Sequence, residues 1–213
     1  MKHPYNMEDV KLTSLPPVQG LDFEDSTHTY RFDGMEVPSV SSILKPLVNE
    51  KYGGISAKTL NNAANKGTSV HNSIENWIKF GFEDVNPEHR GYFDAFKKWW
   101  SEKHPVVVAS EARVFHKAMW YAGTVDLLAY LDSDLVLIDF KNTYATNDMT
   151  WQVQLEGYDK ALESQGIQVD GKMILHLKKD GTYAEYKYPS KNPKIWRTFG
   201  ALKVVYDYIQ SCK

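Results

Sequence analysis

Apolar residues recur at helical spacing along residues 56–80, where Val70, Ile74 and Trp77 fall on one side of a helix. Gly67 within this segment indicates either a break in the helix or a close approach to another group. A serine after Pro38 can cap a short helix through the segment SSILKPLV. The same helical spacing predicts three more helices, at 88–103, at 151–164 and at about 193–209.

Strand-like runs dominate the middle of the chain, with the sequences PVVVASEARVFH, WYAGTVDLLAYL and DLVLIDFK. A turn at Asp132–Ser133 joins the last two runs. Alternating residues also flank Asp33–Gly34 and Asp180–Gly181, and each pair predicts a tight hairpin. The resulting order is an N-terminal hairpin, helices, three strands, a helix, a hairpin and a helix. This order predicts an α/β protein with a sheet covered by helices.

Length and composition narrow the class of protein. With 213 residues, 42% of them hydrophobic, the chain can fold as one α/β domain over 21–213, preceded by a flexible arm over 1–20. The formal net charge of −2 does not show the basic balance typical of nucleic-acid-binding proteins. A nucleic-acid partner must therefore be argued from local features.

Cysteine content and hydropathy exclude further classes. Cys212 is the single cysteine, which excludes an internal disulfide framework, a cysteine-ligated zinc site and an iron–sulfur cluster. There is no P-loop motif of an NTP-driven motor. No run of about 18 apolar residues occurs, and the N-terminus lacks the features of a targeting peptide. We expect a soluble cytoplasmic protein that does not bind membranes.

Two aspartates mark the strand-like runs, Asp126 in GTVD and Asp139 in LIDFK. Antiparallel pairing across the turn between them would bring both carboxylates side by side, where they could hold one Mg²⁺ or Mn²⁺ ion. Lys141 lies two residues after Asp139 and so on the same strand face. Because D/E-x-K also occurs three times elsewhere, a surface ion pair is the alternative explanation.

Two helical pairs add candidate ligands. His71 and Glu75 share one helix face, as do Gln154 and Tyr158. The imidazole can bind a transition metal, and the second pair can orient phosphate oxygens or water. A helix-surface hydrogen bond and the polar edge of an amphipathic helix are the respective alternatives. Glu111 is a possible third carboxylate at the metal, or an ion-pair partner of Arg113.

Candidate DNA contacts lie near these motifs in sequence. Aromatic stacking and cationic side chains usually hold single strands. For the aromatic residues core packing is the alternative, and for the serines it is helix capping. The candidates are Ser39, Ser41, Ser42, Lys45, Tyr144 and Trp151, with Trp120, Tyr121, Lys117, Lys178 and Lys179 as further possibilities.

The motifs together resemble the RecB-type branch of the PD-(D/E)xK nuclease superfamily. The chain contains G-T-x-x-H-x-x-x-E, G-T-x-D, D-x-K and Q-x-x-x-Y in that family's order over residues 67–158. The string VPSVSSILK is also similar to a segment of small single-domain exonucleases, which include phage-encoded proteins and the mitochondrial genome maintenance exonuclease. With that string the resemblance extends from about residue 28 to about residue 188.

The resemblance implies a restriction-endonuclease-like αβββαβ core with a mixed central sheet and an N-terminal hairpin–helix extension. It implies that His71, Asp126, Asp139 and the Phe140 carbonyl bind Mg²⁺ or Mn²⁺, and that Lys141 is catalytic. Gln154 and Tyr158 would lie near the metal and the DNA strand. The four-cysteine cluster that some relatives carry cannot form here.

The function expected is that of a metal-dependent exonuclease acting on single-stranded DNA or DNA ends. We expect the enzyme to be encoded by a phage and to act in DNA recombination, repair or replication. Its expected partner is a phage recombination protein or a single-strand-binding protein. A structure-specific or restriction-like endonuclease is the enzymatic alternative. A non-catalytic DNA-binding member of the fold is the alternative from a different class, and an enzyme unrelated to nucleic acid would require the motifs to be coincidental.

Overall fold

The computed structural model describes residues 15–52, 54, 57–144 and 146–213. Within them the strands are β1 (Leu21–Glu24), β2 (Thr29–Phe32), β3 (Met35–Val37), β4 (Val106–His116), β5 (Tyr121–Leu131), β6 (Asp134–Lys141), β7 (Gly171–Leu177) and β8 (Tyr183–Pro189). The helices are α1 (Val40–Ile43), α2 (Lys45–Tyr52), α3 (Ala57–Phe80), α4 (Arg90–Lys103), α5 (Asp148–Ser164) and α6 (Pro193–Ser211).

The central sheet has five strands in the order β4-β5-β6-β7-β8. Strands β4, β5 and β6 form an antiparallel meander, and β7 and β8 form the predicted hairpin. Strand β7 runs parallel to β6 because α5 crosses from one end of the sheet to the other between them. The order α3-α4-β4-β5-β6-α5-β7 confirms the predicted mixed sheet with flanking helices.

Helices cover both faces of this sheet. On one face α1, α5 and α6 bury Val40, Leu155 and Phe199 against strand residues such as Leu128. On the other face α3 and α4 bury Ile74 and Phe96 against Leu127 and its neighbours. Since Leu127 and Leu128 are adjacent in β5, the strand alternates between two apolar layers, which explains its continuous apolar sequence. None of the described helices combines the length and apolar character needed to cross a bilayer.

A smaller antiparallel sheet, β1-β2-β3, lies against the end of the β4–β5 hairpin. Its β2–β3 turn is the predicted hairpin, with positive φ angles at Asp33 and Gly34. Strand β1 was not apparent from the sequence pattern. The backbone amide of Ala122 in β5 donates to the Pro38 carbonyl, so the chain leaving the small sheet is joined to the central sheet.

The predicted helix through SSILKPLV is two short helices, since α1 ends at Ile43 and α2 begins at Lys45. Ser39 caps α1, because its hydroxyl accepts a hydrogen bond from the Ser42 amide. The predicted helix at 56–80 is α3, which continues through Gly67 without a break. The expected arm over 1–20 falls largely outside the described residues and stays a prediction; of its remainder, Leu15 packs against the main apolar cluster.

A buried ion-pair group anchors α5 to β7. The Lys172 ammonium lies 2.5 Å from a Glu156 carboxylate oxygen and 3.0 Å from an Asp159 oxygen. Burial raises the pKa of both carboxyl groups, against the opposing effect of Lys172. This contact fixes α5, and with it Gln154 and Tyr158, over the sheet.

Candidate active site

One cavity is lined by residues of the sequence motifs. It has a volume of about 430 Å³ and is lined by α3, by the middle of β4 and of β5, by the C-terminal end of β6 and by residues of the small N-terminal sheet and its turn. Its lining includes residues from each of the four sequence motifs. They are Gly67, Thr68, His71, Gly123, Thr124, Asp126, Asp139, Lys141, Gln154 and Tyr158, joined by His28, Tyr30, Ser39, Ser41, Asn72 and Glu111.

The register of the sheet places the two aspartates together. The ladder between β5 and β6 ends at the pair Leu127 and Ile138, so the next residue on each strand is Asp126 or Asp139. The Phe140 amide donates to Asp126 Oδ2 over 2.7 Å. That bond closes the end of the strand pair and fixes the Asp126 carboxylate. The antiparallel juxtaposition predicted from the intervening turn is confirmed.

His71 reaches this point from α3. Its Nδ1 lies 3.5 Å from Asp126 Oδ1, and its Nε2 donates to the Phe140 carbonyl over 3.1 Å. Glu75 does not bind the imidazole; it pairs with Lys79 one turn further along α3. The i and i+4 spacing of His71 and Glu75 is therefore not a surface His–Glu pair.

Glu111 completes a cluster of three candidate ligands. One donor atom each from His71, Glu111 and Asp126 lies within 4.8 Å of the others, as a shared metal ion would require. The φ angle of Glu111 is 50°, a left-handed conformation that is rare for a strand residue and concentrated at functional sites. Arg113 lies over the Phe23 ring, and no ion pair joins it to Glu111 in the described part of the chain.

Asp139 stands beside this cluster. Its Oδ2 lies 2.6 Å from the Lys141 ammonium and is buried without another hydrogen-bond partner among the described residues. Among those residues it is not in the group whose donor atoms all lie within 4.8 Å. The predicted role of Asp139 as a ligand therefore stays a prediction, whereas its place in the same cavity is observed.

Three acidic side chains share the cavity. Burial raises the pKa of Glu111 to about 8, with a further contribution from the charge of Asp126. Burial also raises the pKa of Asp139 to about 6, against Lys141. Burial opposes ionisation of Asp126 as well, yet the adjacent His71 holds the pKa of that carboxyl below its usual value. Ionisation of all three acids would give an excess of negative charge over Lys141, which a divalent cation would neutralise.

Burial has the opposite effect on the pKa of the His71 imidazole, because that group is charged when it is protonated. Burial lowers its pKa, but the charge and hydrogen bond of Asp126 outweigh this effect and raise the pKa to about 9. Without a cation the imidazole is therefore protonated at neutral pH and compensates part of the excess negative charge. The donor set of one imidazole and several carboxylate oxygens suits Mn²⁺ or Mg²⁺. The residues present thus fit the expected metal.

Gln154 and Tyr158 form the wall of the cavity opposite α3. The Gln154 amide donates to the Tyr158 hydroxyl over 3.2 Å, whereas Gln152 points away and binds Asp148. Burial, followed by the charges of Asp139 and Asp126, raises the pKa of Tyr158 well above its ordinary value. The phenol therefore stays neutral and keeps its proton available for a hydrogen bond.

Gly123 of the G-T-x-D motif is explained by close packing. A Cβ atom at this position would lie 2.6 Å from Cε1 of Tyr158. The next residue, Thr124, shares a 2.6 Å hydrogen bond with the Tyr30 hydroxyl of β2. Tyr30 and His28 were not identified from the sequence, since nothing in the short alternating segment distinguishes a residue that faces a distant cavity.

The candidate DNA contacts divide into accessible and buried residues. Ser39 and Ser41 line the cavity, while Ser42 is the partner of the Ser39 cap. Lys45 is exposed at the start of α2. Tyr144 is fully exposed, whereas only 3% of Trp151 is accessible. Of the other aromatic candidates, Tyr121 is buried and Trp120 packs against Phe32 and Phe115, while Lys117, Lys178 and Lys179 are exposed.

Comparison with protein-family profiles gives no match, and neither does comparison with curated protein sequences. Comparison with solved structures gives several similar chains. SSO0001 is 10% identical with a TM-score of 0.46, and the match covers 78% of this chain and 74% of that one. LHK-Exo in complex with dAMP is 11% identical with a TM-score of 0.47, covering 83% and 88%. An alkaline exonuclease (LHK-Exo) from Laribacter hongkongensis is 13% identical with a TM-score of 0.39, covering 81% and 89%.

The fold assignment follows from this chain itself. Its elements occur in the αβββαβ order, and the four motifs that are separate in sequence meet in one cavity at the end of the sheet. The resemblance led us to expect both the order of the elements and the meeting of the motifs, and neither feature requires the other. The chain thus has the α/β fold that the resemblance to PD-(D/E)xK nucleases led us to expect, with a five-stranded mixed sheet flanked by helices.

Proposed function

We propose that this protein is a metal-dependent deoxyribonuclease that hydrolyses phosphodiester bonds at DNA ends. One observation carries the proposal: the donor atoms of His71, Glu111 and Asp126 converge in the cavity that also holds the Asp139–Lys141 pair. Unlike the structural group of Lys172, Glu156 and Asp159, this one combines an imidazole with three carboxyl groups at a cavity. Because perturbed pKa values cluster at functional sites, those of His71 and Glu111 also support a reactive centre.

His71, Glu111 and Asp126 would hold the cation, with Asp139 and the Phe140 carbonyl as further proposed ligands. A bound Mg²⁺ or Mn²⁺ ion would polarise a phosphate oxygen and make water more acidic. Asp126 is fixed for this role by the Phe140 amide, and His71 by the Phe140 carbonyl. The ligands are therefore positioned before the cation binds, as a site of defined geometry requires.

Lys141 and Tyr158 would act on the phosphate and on water. The Lys141 ammonium, held by Asp139, orients the attacking water or neutralises charge that develops on the phosphate. The neutral Tyr158 hydroxyl accepts from Gln154 and so has its own proton free to donate into the cavity. The water oxygen forms a bond to phosphorus, one bridging P–O bond breaks, and the products are a phosphate monoester and a hydroxyl.

The proposed biological setting is DNA recombination, repair or replication. The similarity of VPSVSSILK to small exonucleases supports this setting and a phage origin. A recombination or single-strand-binding protein is the proposed partner. Cytoplasmic DNA is the proposed substrate.

The direct test uses end-labelled linear DNA, single- and double-stranded, incubated with Mg²⁺, Mn²⁺ or EDTA. We expect progressive shortening with either metal, no reaction in EDTA, and no reaction for Asp139→Ala. Closed circular DNA is the control for end dependence. Cleavage of closed circles would favour an endonuclease, and wild-type activity in EDTA would overturn the proposed metal site.

A further inference from the structure

A second cavity adjoins the catalytic one on the side of Lys141. Its volume is about 290 Å³, close to the lower bound of about 300 Å³ for pockets that hold small organic ligands. The two cavities adjoin each other, because Ser41, Lys141 and Gln154 line both. A molecule whose phosphate lies at Lys141 can therefore extend into this space.

The lining of the second cavity is apolar on one side and polar on the other. Leu44 and Val48, from the turn into α2 and from α2 itself, face Trp151 at the base of α5. Asn147 and Thr150 provide amide and hydroxyl groups at the start of α5. Such a combination suits a flat ligand with an apolar face and hydrogen-bonding edges.

The charge of this cavity distinguishes it from its neighbours. None of the described residues that line it is acidic, and Lys141 is its single cation. The catalytic cavity contains three carboxylates. A third cavity, on the Glu111 side, also contains Asp25 and Glu75. Of these three cavities, the one beside Lys141 therefore accepts a nucleotide fragment without placing it against carboxylates.

We propose that the cavity beside Lys141 is a subsite for the terminal nucleoside of the DNA strand. This inference rests on the proposed function and deepens it. The base lies against Val48 and against the small accessible surfaces of Leu44 and Trp151, of which 3% each is exposed, while its edge and the sugar meet Asn147 and Thr150. The first phosphodiester bond of the strand is then the one beside Lys141. The subsite thereby selects strand ends and releases one nucleotide at a time.

The first experiment varies the substrate. Single-stranded oligonucleotides carry an abasic residue either at the terminus that is digested or three positions inward, and initial rates of the first cleavage are measured with Mn²⁺. We expect the terminal abasic residue to raise KM by about 5- to 150-fold, the range typical of lost base contacts. The inward abasic residue should leave KM for the first cleavage unchanged.

The second experiment fills the cavity. Val48→Phe adds volume at the apolar wall, and Val48→Leu is a smaller change in case the first variant does not fold. Val204→Phe is the matched control, since Val204 is 69% exposed on α6 and lines neither cavity. We expect Val48→Phe to raise KM for intact ends and to abolish the difference between intact and abasic termini. The control should behave as wild type.

The outcomes separate the two proposals. No hydrolysis by the wild-type protein with either metal overturns the proposed function and the subsite together. Hydrolysis with equal KM for intact and abasic termini overturns the subsite alone. The subsite is also overturned if the inward abasic residue, rather than the terminal one, raises KM. It is likewise overturned if the terminal abasic residue raises KM as much in a folded Val48 variant as in the wild type.

Discussion

At the scale of single residues, the pair Asp139 and Lys141 shows how a motif at the candidate site differs from a chance occurrence of the same pattern. The same D/E-x-K spacing occurs at Glu185 and Lys187 on β8, where the lysine side chain is 69% exposed. Lys141 has 18% exposure and lies 2.6 Å from an almost fully buried carboxylate. Identical local spacing thus gives a surface contact in one strand and a cavity-facing pair in the other.

This difference yields a matched prediction. Lys141→Ala should lower the rate of DNA hydrolysis by about 100- to 1,000-fold, because it removes a preorganised cationic donor. Lys187→Ala should keep the wild-type rate. Initial rates on end-labelled DNA measure the effect, and circular dichroism verifies that both variants are folded. Equal rates for the two variants would contradict the role given to Lys141.

A second prediction at this scale concerns protons at the cation site. The pKa values of about 9 for His71 and about 8 for Glu111 mean that both groups are protonated at neutral pH when no cation is bound. Because ligands bind metal in their deprotonated forms, Mn²⁺ must release these protons. The apparent affinity should therefore rise as the pH increases from 6 to 9.

Isothermal titration calorimetry tests this linkage. Titrations of Mn²⁺ in two buffers with different heats of ionisation give the number of protons released. We expect net release at pH 7 and less release at pH 9. Binding without proton release at pH 7 would show that His71 and Glu111 are not the ligands. His71→Ala should reduce the number released.

At the scale of elements, the site depends on how closely β5 approaches α5. The missing side chain of Gly123 leaves room for the Tyr158 ring, and the ring positions its hydroxyl beside Gln154. The register of β5 and β6 then places Asp126 and Asp139 at the same edge. Strand β5 thus positions Asp126 beside Asp139 and, through Gly123, also positions Tyr158 on another wall of the cavity.

Gly123→Ala should therefore destabilise the protein by about 1–3 kcal/mol, since overpacking forces Tyr158 or the backbone to shift. Gly171→Ala is the matched control, because its Cβ atom would find its nearest neighbour, Val136, at 3.9 Å. Urea denaturation of both variants measures the free energy of unfolding. An equal loss for the two glycines would contradict the packing explanation.

At the scale of the whole molecule, the proposed DNA binding receives little help from charge. The net charge is −2. In the cavity, Lys141 and the protonated His71 offset the charges of Asp126 and Asp139, so phosphate meets no net positive charge until a cation binds. The exposed Lys45 and Tyr144 are next in sequence to residues of the proposed nucleoside subsite.

Cation removal should thus weaken DNA binding as well as abolish catalysis. With Lys141→Ala, which binds without degrading its ligand, we expect the Kd for a single-stranded oligonucleotide to rise at least about tenfold when EDTA replaces Mn²⁺, a change of about 1.4 kcal/mol. Fluorescence anisotropy of a labelled strand measures this change. Equal affinity in both conditions would contradict binding through the cation.

The sequence by itself determined the types of the elements and the candidates for chemistry. Periods of two and of 3.6 residues are local properties, so the helix at 56–80, the three-strand meander and both Asp-Gly hairpins were predictable. The turn between β5 and β6 predicted the pairing of Asp126 with Asp139, and the family resemblance implied that His71 and Lys141 would join them in one cavity.

Only the tertiary structure decided which further residues join the candidate site and where they lie in it. The place of Glu111 among the candidate metal ligands depends on the left-handed backbone within β4 and on its distance from His71 of α3. The roles of Tyr30 and of the cavity beside Lys141 depend on contacts between segments that lie far apart in the chain. Local patterns cannot specify such contacts, because they arise from packing among elements rather than from the preferences of any one of them.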